Sequence, residues 1–231
     1  MSTITIIGGH GKVALLAAPL LTNAGHTVRS IIRKQEQVEA VEATGANAVV
    51  ANVELLDVDS IAQQIAGSTA VVWSAGVGGG DPDRTWRFDR DTAIRVMQAA
   101  ERADVQRFVM VSYFNSHLVD GEVPGVAKSD GMYAYYNAKS QADEYLRKET
   151  DLDWTVLGPS VLTLDAPTDQ ITVVSDDADL DNVSDLSVPA TSRANVAAVV
   201  AAVVDEPASI KKTLNFHDGS TPIAEAVKQG M

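Results

Sequence analysis

Thr3-Ile4-Thr5-Ile6-Ile7-Gly8-Gly9-His10-Gly11-Lys12-Val13-Ala14 reads as a short apolar strand, a glycine-rich turn and the first turn of a helix that runs over 12–23. The turn satisfies G-x-x-G-x-x-A through Gly8, Gly11 and Ala14, and G-x-G-x-x-A through Gly9, Gly11 and Ala14. Small residues at this spacing have a physical purpose. One glycine makes a tight turn, another lets backbone N–H groups approach a pyrophosphate, and the third small residue lets helix and strand pack closely. The helix N-terminus then presents partial positive charge to the phosphates. A lone glycine motif is a weak signal. Its place in the first strand–turn–helix unit gives it weight, and Gly8, Gly9, His10, Gly11, Lys12 and Val13 are the expected dinucleotide-binding turn.

The same alternation continues outward from this unit. Strands are expected at 28–32, 48–52, 70–74, 108–112 and 154–157, separated by helices at 36–43, 58–66, 84–103 and 133–148. The strands are short and apolar on both faces, which suits a parallel sheet covered by helices on each side. The expected architecture is α/β, a doubly wound parallel sheet in a single domain. Residues 1–157 form the dinucleotide-binding part, and 158–231 complete the sheet and the substrate side. Pro19 falls inside the first helix, where its ring opposes the Leu15 carbonyl, so a kink is expected there. After Leu157 the pattern weakens. Asp176, Asp177, Asp179, Asp181 and Asp185 suggest a solvated loop rather than a Ca²⁺ loop, because the glycine and terminal Glu of an EF-hand are absent. A helix at 193–204, a strand at 213–216 and a helix at 222–228 follow.

The tip of the second strand discriminates between cofactors. An NAD site usually carries Asp or Glu there for the ribose hydroxyls, whereas this chain has Ile32-Arg33-Lys34. Arg33 offers a planar fork to a 2′-phosphate and Lys34 adds charge. NADP(H) is therefore expected ahead of NAD(H). Asn52 and Val53, after the third strand, are expected beside the adenine, and Ser74-Ala75-Gly76 are expected to let the backbone pass close to the cofactor.

Tyr135 and Lys139 are four residues apart and share a helix face. An ammonium beside a phenol favours the phenolate, so Tyr135 is expected to have a lowered pKa and to act as a general acid or base. Lys139 is also expected to hold the nicotinamide ribose. Ser112, at the end of the fifth strand, is the third catalytic candidate, as a hydrogen-bond partner for a substrate carbonyl or hydroxyl. The loop 76–80 with Asp81, Asp83, Arg84 and Trp86, and the segment 113–132, are expected to border the substrate.

Bulk composition narrows the partners. The 231 residues are 45% hydrophobic, carry a formal charge of −13 and include no cysteine. Disulfides and cysteine-based metal sites are excluded, and an acidic surface disfavours nucleic acid. The apolar runs 13–21 and 196–204 are shorter than the roughly 20 residues of a membrane span. No signal peptide is expected ahead of the first strand, so a cytoplasmic location is expected. His10, His26, His117 and His217 have no metal-ligand spacing, and Trp73 and Trp154 are expected in the core.

The sequence resembles the atypical short-chain dehydrogenase/reductases, Rossmann proteins close to the NmrA-like and epimerase-like branches. The matching stretches are Gly8–Ala14, Ile32-Arg33-Lys34, Arg107–Ser112, Tyr135-Tyr136-Asn137-Ala138-Lys139, Gly158-Pro159 and Ser192–Ala197. The resemblance implies a pyrophosphate on the glycine turn, a catalytic Tyr/Lys helix and Pro159 in the cofactor-binding set. Departures are Gly158 where the family often has Arg, Asn195 where it usually has Asp, and Tyr113 where related enzymes have a second serine. An NAD(P)H-dependent oxidoreductase acting on a small carbonyl or quinone-like substrate is the leading expectation. A non-catalytic NADP(H) sensor working through a protein partner is the alternative, and a nucleotide-sugar epimerase or dehydratase comes third.

Overall fold

The computed structural model describes residues 1–78, 80–174 and 188–230. Its strands are β1 (Thr3–Ile7), β2 (Thr27–Ile32), β3 (Asn47–Val50), β4 (Ala70–Trp73), β5 (Arg107–Val111), β6 (Asp153–Pro159), β7 (Leu162–Thr163), β8 (Gln170–Val174), β9 (Thr191–Ser192), β10 (Lys212–Asp218) and β11 (Thr221–Pro222). Its α-helices are α1 (Lys12–Asn23), α2 (Val38–Glu42), α3 (Val58–Ile65), α4 (Pro82–Thr85), α5 (Ala93–Arg102), α6 (Tyr133–Glu149), α7 (Arg193–Val203) and α8 (Ile223–Gln229). Nine strands form one sheet in the order β11-β8-β10-β6-β5-β4-β1-β2-β3, and β7 pairs with β9 beside it. The strands from β3 across to β10 are all parallel. Only β8 runs against its neighbours β10 and β11.

Period-two burial explains the layers. Ile4, Ile6, Val72, Val109 and Val111 turn to the face covered by α1, α7 and α8. Ile7, Val71, Trp73, Phe108 and Met110 turn to the face covered by α3, α5 and α6. A strand buried on both faces needs apolar residues at both parities, and β1, β4 and β5 supply them. Trp73 and Trp154 are both buried, as expected.

One helix differs in detail from expectation. The helix expected over 84–103 is composite. Between α4 and α5 the residues Trp86–Thr92 form a π-helix, an uncommon geometry that inserts extra residues into the helical ladder. Helix α1 continues through Pro19 to Asn23, and Thr22 Oγ1 donates to the Pro19 carbonyl at 3.0 Å. The five aspartates Asp176, Asp177, Asp179, Asp181 and Asp185 lie outside the described residues. Among the described residues no helix is long and apolar enough to cross a membrane. No group of three potential metal ligands occurs among them either.

Candidate active site

The order of the sheet creates the site. From β1 the chain crosses to β2 on one side, and from β4 it crosses to β5 on the other. At such a switch point the loops after the two central strands diverge and leave a crevice. Here it is a groove of about 310 Å³. Gly8, His10 and Gly11 line it from the β1 loop, Arg33 from β2, Asn52 and Val53 from β3, and Ser74, Ala75 and Gly76 from β4. Nine residues expected around a dinucleotide thus surround one groove.

The glycines divide the work. Gly8 has φ +81°, and a Cβ on it would lie 2.6 Å from Ala75 Cβ. Gly9 donates its N–H to the Ile31 carbonyl at 3.0 Å, and a Cβ on it would sit 2.4 Å from Ser30 Cβ. Gly11 donates its N–H to Gly8 O at 2.8 Å. The Gly9 and Gly11 amides expected for the pyrophosphate are therefore committed to the turn itself, and Gly9 seats the β1 loop against β2. The donors left for an anion are at the start of α1. No side chain caps that end, and its first turn holds no acidic residue, so its free N–H groups and dipole suit a phosphate. Val13 points into the core rather than the groove. Lys12 and Lys34 are exposed and do not line the groove.

Two cationic side chains, Arg33 and Arg84, line the groove. Arg33 is exposed and makes no hydrogen bond or ion pair among the described residues. Arg84, expected at the substrate, instead lines the groove, pairs with Glu54 at 3.1 Å and lies over the Phe88 ring.

A second cleft, of about 330 Å³, opens beside the groove. Gly78, Ser112 and Tyr135 line it together with Tyr113, Phe114 and Met132 of the 113–132 segment. Pro159 lines this cleft and not the groove. Tyr113, Tyr135 and Tyr136 form one aromatic wall, with ring centroids 5.0–6.0 Å apart. The Tyr135 hydroxyl makes no hydrogen bond among the described residues.

Lys139 is buried, and its Nζ donates to the Val111 carbonyl at 3.1 Å. Its positive charge pulls the Tyr135 pKa down, but burial raises it more, with Asp89 acting in the same direction as burial. The expected lowering of the Tyr135 pKa is thus overturned, and the group is held as a neutral phenol at neutral pH. It is equipped to donate a proton. Ser112 is less free than expected. Its hydroxyl donates to Asp143 Oδ2, and Ser116 donates to the same oxygen at 2.5 Å. Ser116 is also 3.0 Å from Ser140 Oγ, which is 2.6 Å from the Tyr113 hydroxyl. With its proton committed to a carboxylate, Ser112 offers a substrate lone pairs rather than a donor.

Two buried acids were not singled out in the sequence. Asp143 lies on α6 four residues beyond Lys139, on the Tyr135 face, and that spacing was a usable signal. Asp89 lies in the π-helix, 1% exposed, and accepts from Val77 N–H at 3.1 Å. Burial raises its pKa, against the lowering effect of Lys139. Nothing in the sequence announced the π-helix that turns Asp89 inward.

Comparison with known proteins agrees with this geometry. The family model described as NAD(P)H-binding matches residues 8–207. The chain is 32% identical to the uncharacterized sugar epimerase YhfK of Bacillus subtilis (strain 168), covering 98% of this chain and 99% of that protein. Among solved structures it is similar to a Bacillus halodurans protein provisionally described as an NAD-dependent epimerase/dehydratase. That match has a TM-score of 0.86 and 32% identity, over 99% of this chain and 100% of the other. The oxidoreductase ylbE from Lactococcus lactis aligns with a TM-score of 0.82 and 31% identity, over 98% and 95% of the two chains.

Proposed function

The chain belongs to the NAD(P)H-binding family, with the Rossmann fold of an atypical short-chain dehydrogenase/reductase, and from this we propose that it is a reductase. Its substrate is a small carbonyl or quinone-like compound, and its preferred cofactor is NADPH. The observation that carries the reading is Tyr135. An unbonded, neutral phenol faces the second cleft, next to a groove with the fit of a dinucleotide. That fit rests on the open N-terminus of α1 and the tight Gly8 turn.

NADPH, when bound, would supply the hydride. The α1 amides would hold its pyrophosphate, and Arg33 would pair with the 2′-phosphate through a charge-assisted contact. Lys139 braces the Val111 carbonyl and sets the field at Tyr135. Tyr135 would give its proton to the carbonyl oxygen of a substrate in the second cleft and be reprotonated from solvent. The three-tyrosine wall supports a flat substrate and keeps bulk water from one side of it.

A redox sensor is the second reading, favoured by one observation. Ser112 spends its proton on Asp143 and cannot polarise a substrate carbonyl as a donor. Turnover separates the two. Wild type and Tyr135→Phe, both first shown to bind NADPH, are assayed by reduced-nicotinamide absorbance against aldehydes, ketones and quinones, and a UDP-sugar is tested for binding. Reduction that collapses in Tyr135→Phe supports the reductase. Binding with no turnover across the panel moves the assignment to a sensor acting through a protein partner.

A further inference from the structure

We infer that the second cleft selects a planar, conjugated substrate bearing an anionic group, a carboxylate or a phosphate, which pairs with Arg193. The inference rests on reading that cleft as the substrate side. Its walls set the shape. Tyr113, Tyr135 and Tyr136 form an aromatic face, and Val161 and Leu162 add aliphatic surface. Val161 is 63% exposed, so it presents an open apolar lip. A flat ring gains most from such walls, through offset or edge contacts with the tyrosines.

Arg193 sets the charge. Among the described residues that line the cleft, it is the only Lys, Arg, His, Asp or Glu. It begins α7, so the positive end of an 11-residue helix adds to its field. One guanidinium nitrogen, Nη1, is anchored to the carbonyls of Leu162 at 3.1 Å and Thr163 at 2.8 Å. The other nitrogens make no hydrogen bond and meet no carboxylate among the described residues, and they are not sealed from solvent. Arg84 and Arg102, by contrast, are paired with Glu54 and Asp59. A half-buried guanidinium, fixed at one nitrogen and unspent at the others, is preorganised for a planar anion. The cleft therefore combines an acid, Tyr135, an aromatic wall and a cation, and a conjugated carbonyl compound with a carboxylate or phosphate uses all three.

The test is binding, which needs no turnover. Protein saturated with NADPH is titrated calorimetrically with naphthoate, naphthyl phosphate and naphthol. The expected result is that wild type binds at least one of the two anions about tenfold tighter than naphthol, the strength of a charge-assisted bond. Arg193→Gln abolishes that preference, and Arg193→Lys keeps part of it. The order of naphthoate and naphthyl phosphate tells a carboxylate site from a phosphate site. NADPH affinity and melting temperature measured for both variants guard against a loosened Leu162–Thr163 loop, and Arg193→Lys keeps the test valid if Arg193→Gln folds poorly. Equal binding of naphthol and both anions, no binding of any probe, or a preference that survives in folded Arg193→Gln would overturn the inference. An Arg193-dependent preference in a protein that reduces nothing would leave the inference standing while the reductase reading falls.

Discussion

Replacing Gly9 by Ala tests how the glycine turn works. The added Cβ would lie 2.4 Å from Ser30 Cβ and 2.9 Å from Ser30 Cα, where the loop after β1 rests on β2. Neither atom is the end of a flexible side chain, so the loop must move away from β2. Overpacking a core costs about 1–3 kcal/mol, and contacts this short put the cost near the upper end, about 3 kcal/mol. For a chain of this size that lowers the melting temperature by roughly 6–12 °C. The reasoning also predicts a rescue. Ser30 is fully buried, and its hydroxyl has no partner, so Ser30→Gly removes the clashing atom and loses no hydrogen bond. Alone, it costs about 1 kcal/mol through backbone entropy. Combined with Gly9→Ala it should recover about 1–2 kcal/mol as a coupling energy. Urea unfolding of the four proteins without cofactor measures the cycle, and NADPH titration accompanies it. If Gly9 instead serves the pyrophosphate through its own amide, Gly9→Ala weakens NADPH binding at unchanged stability and Ser30→Gly rescues nothing. That outcome would refute the packing account.

Three further predictions concern charge. Arg33→Ser should weaken NADPH binding by about 1.5 kcal/mol, roughly tenfold, and leave NADH binding unchanged; equal losses for both cofactors would remove Arg33 from the 2′-phosphate. Because the Tyr135 pKa is raised, the proton donor persists as pH rises, so kcat/KM for reduction should stay level from about pH 6 to about pH 9. A fall near neutrality would mean a phenolate, contrary to the burial argument. Burial raises the Asp89 pKa above its unfolded value, so its charged form weighs on the folded state, and stability falls as pH rises from the unfolded carboxylate range through the folded pKa. Asp89→Asn, which retains an acceptor for Val77 N–H, should therefore gain stability relative to wild type as the pH rises above the unfolded carboxylate range. Denaturation curves showing the reverse trend would contradict the sign.

Local periodicity made the parallel sheet legible. The run Thr3–Ile7, the helix from Lys12 and the buried strands each carry their signal within a few residues, because a strand covered on both faces must be apolar throughout. The groove was legible for the same reason, since a switch point gathers the loops after successive strands whatever their side chains. The C-terminal edge was less readable. Strands β7, β9 and β11 are two residues each and show no period, and the antiparallel β8 took its place through pairing with β10. At the candidate site the sequence named Tyr135, Lys139 and Ser112 but not the states of Tyr135 and Ser112. The Tyr135 pKa depends on burial, which no four-residue spacing reports, and the Ser112 proton goes to Asp143, 31 residues away. The departures from the family pattern also have local causes. A Cβ on Gly158 would meet Asn215 Oδ1 at 2.2 Å, so an arginine there would displace the side chain that accepts from Asn115 N–H. Asn195 donates to Asp218 Oδ1 at 2.7 Å, which an ionised aspartate cannot do.

Direct hydride transfer is the central claim of the reductase reading. The decisive measurement uses NADPH carrying two deuterium atoms at the nicotinamide C4, a carbonyl substrate from the panel, and mass spectrometry of the alcohol. The account predicts one deuterium on the former carbonyl carbon with wild type and almost none with Tyr135→Phe that still binds NADPH. No deuterated alcohol from wild type with any carbonyl, or equal transfer by the two proteins, would contradict it.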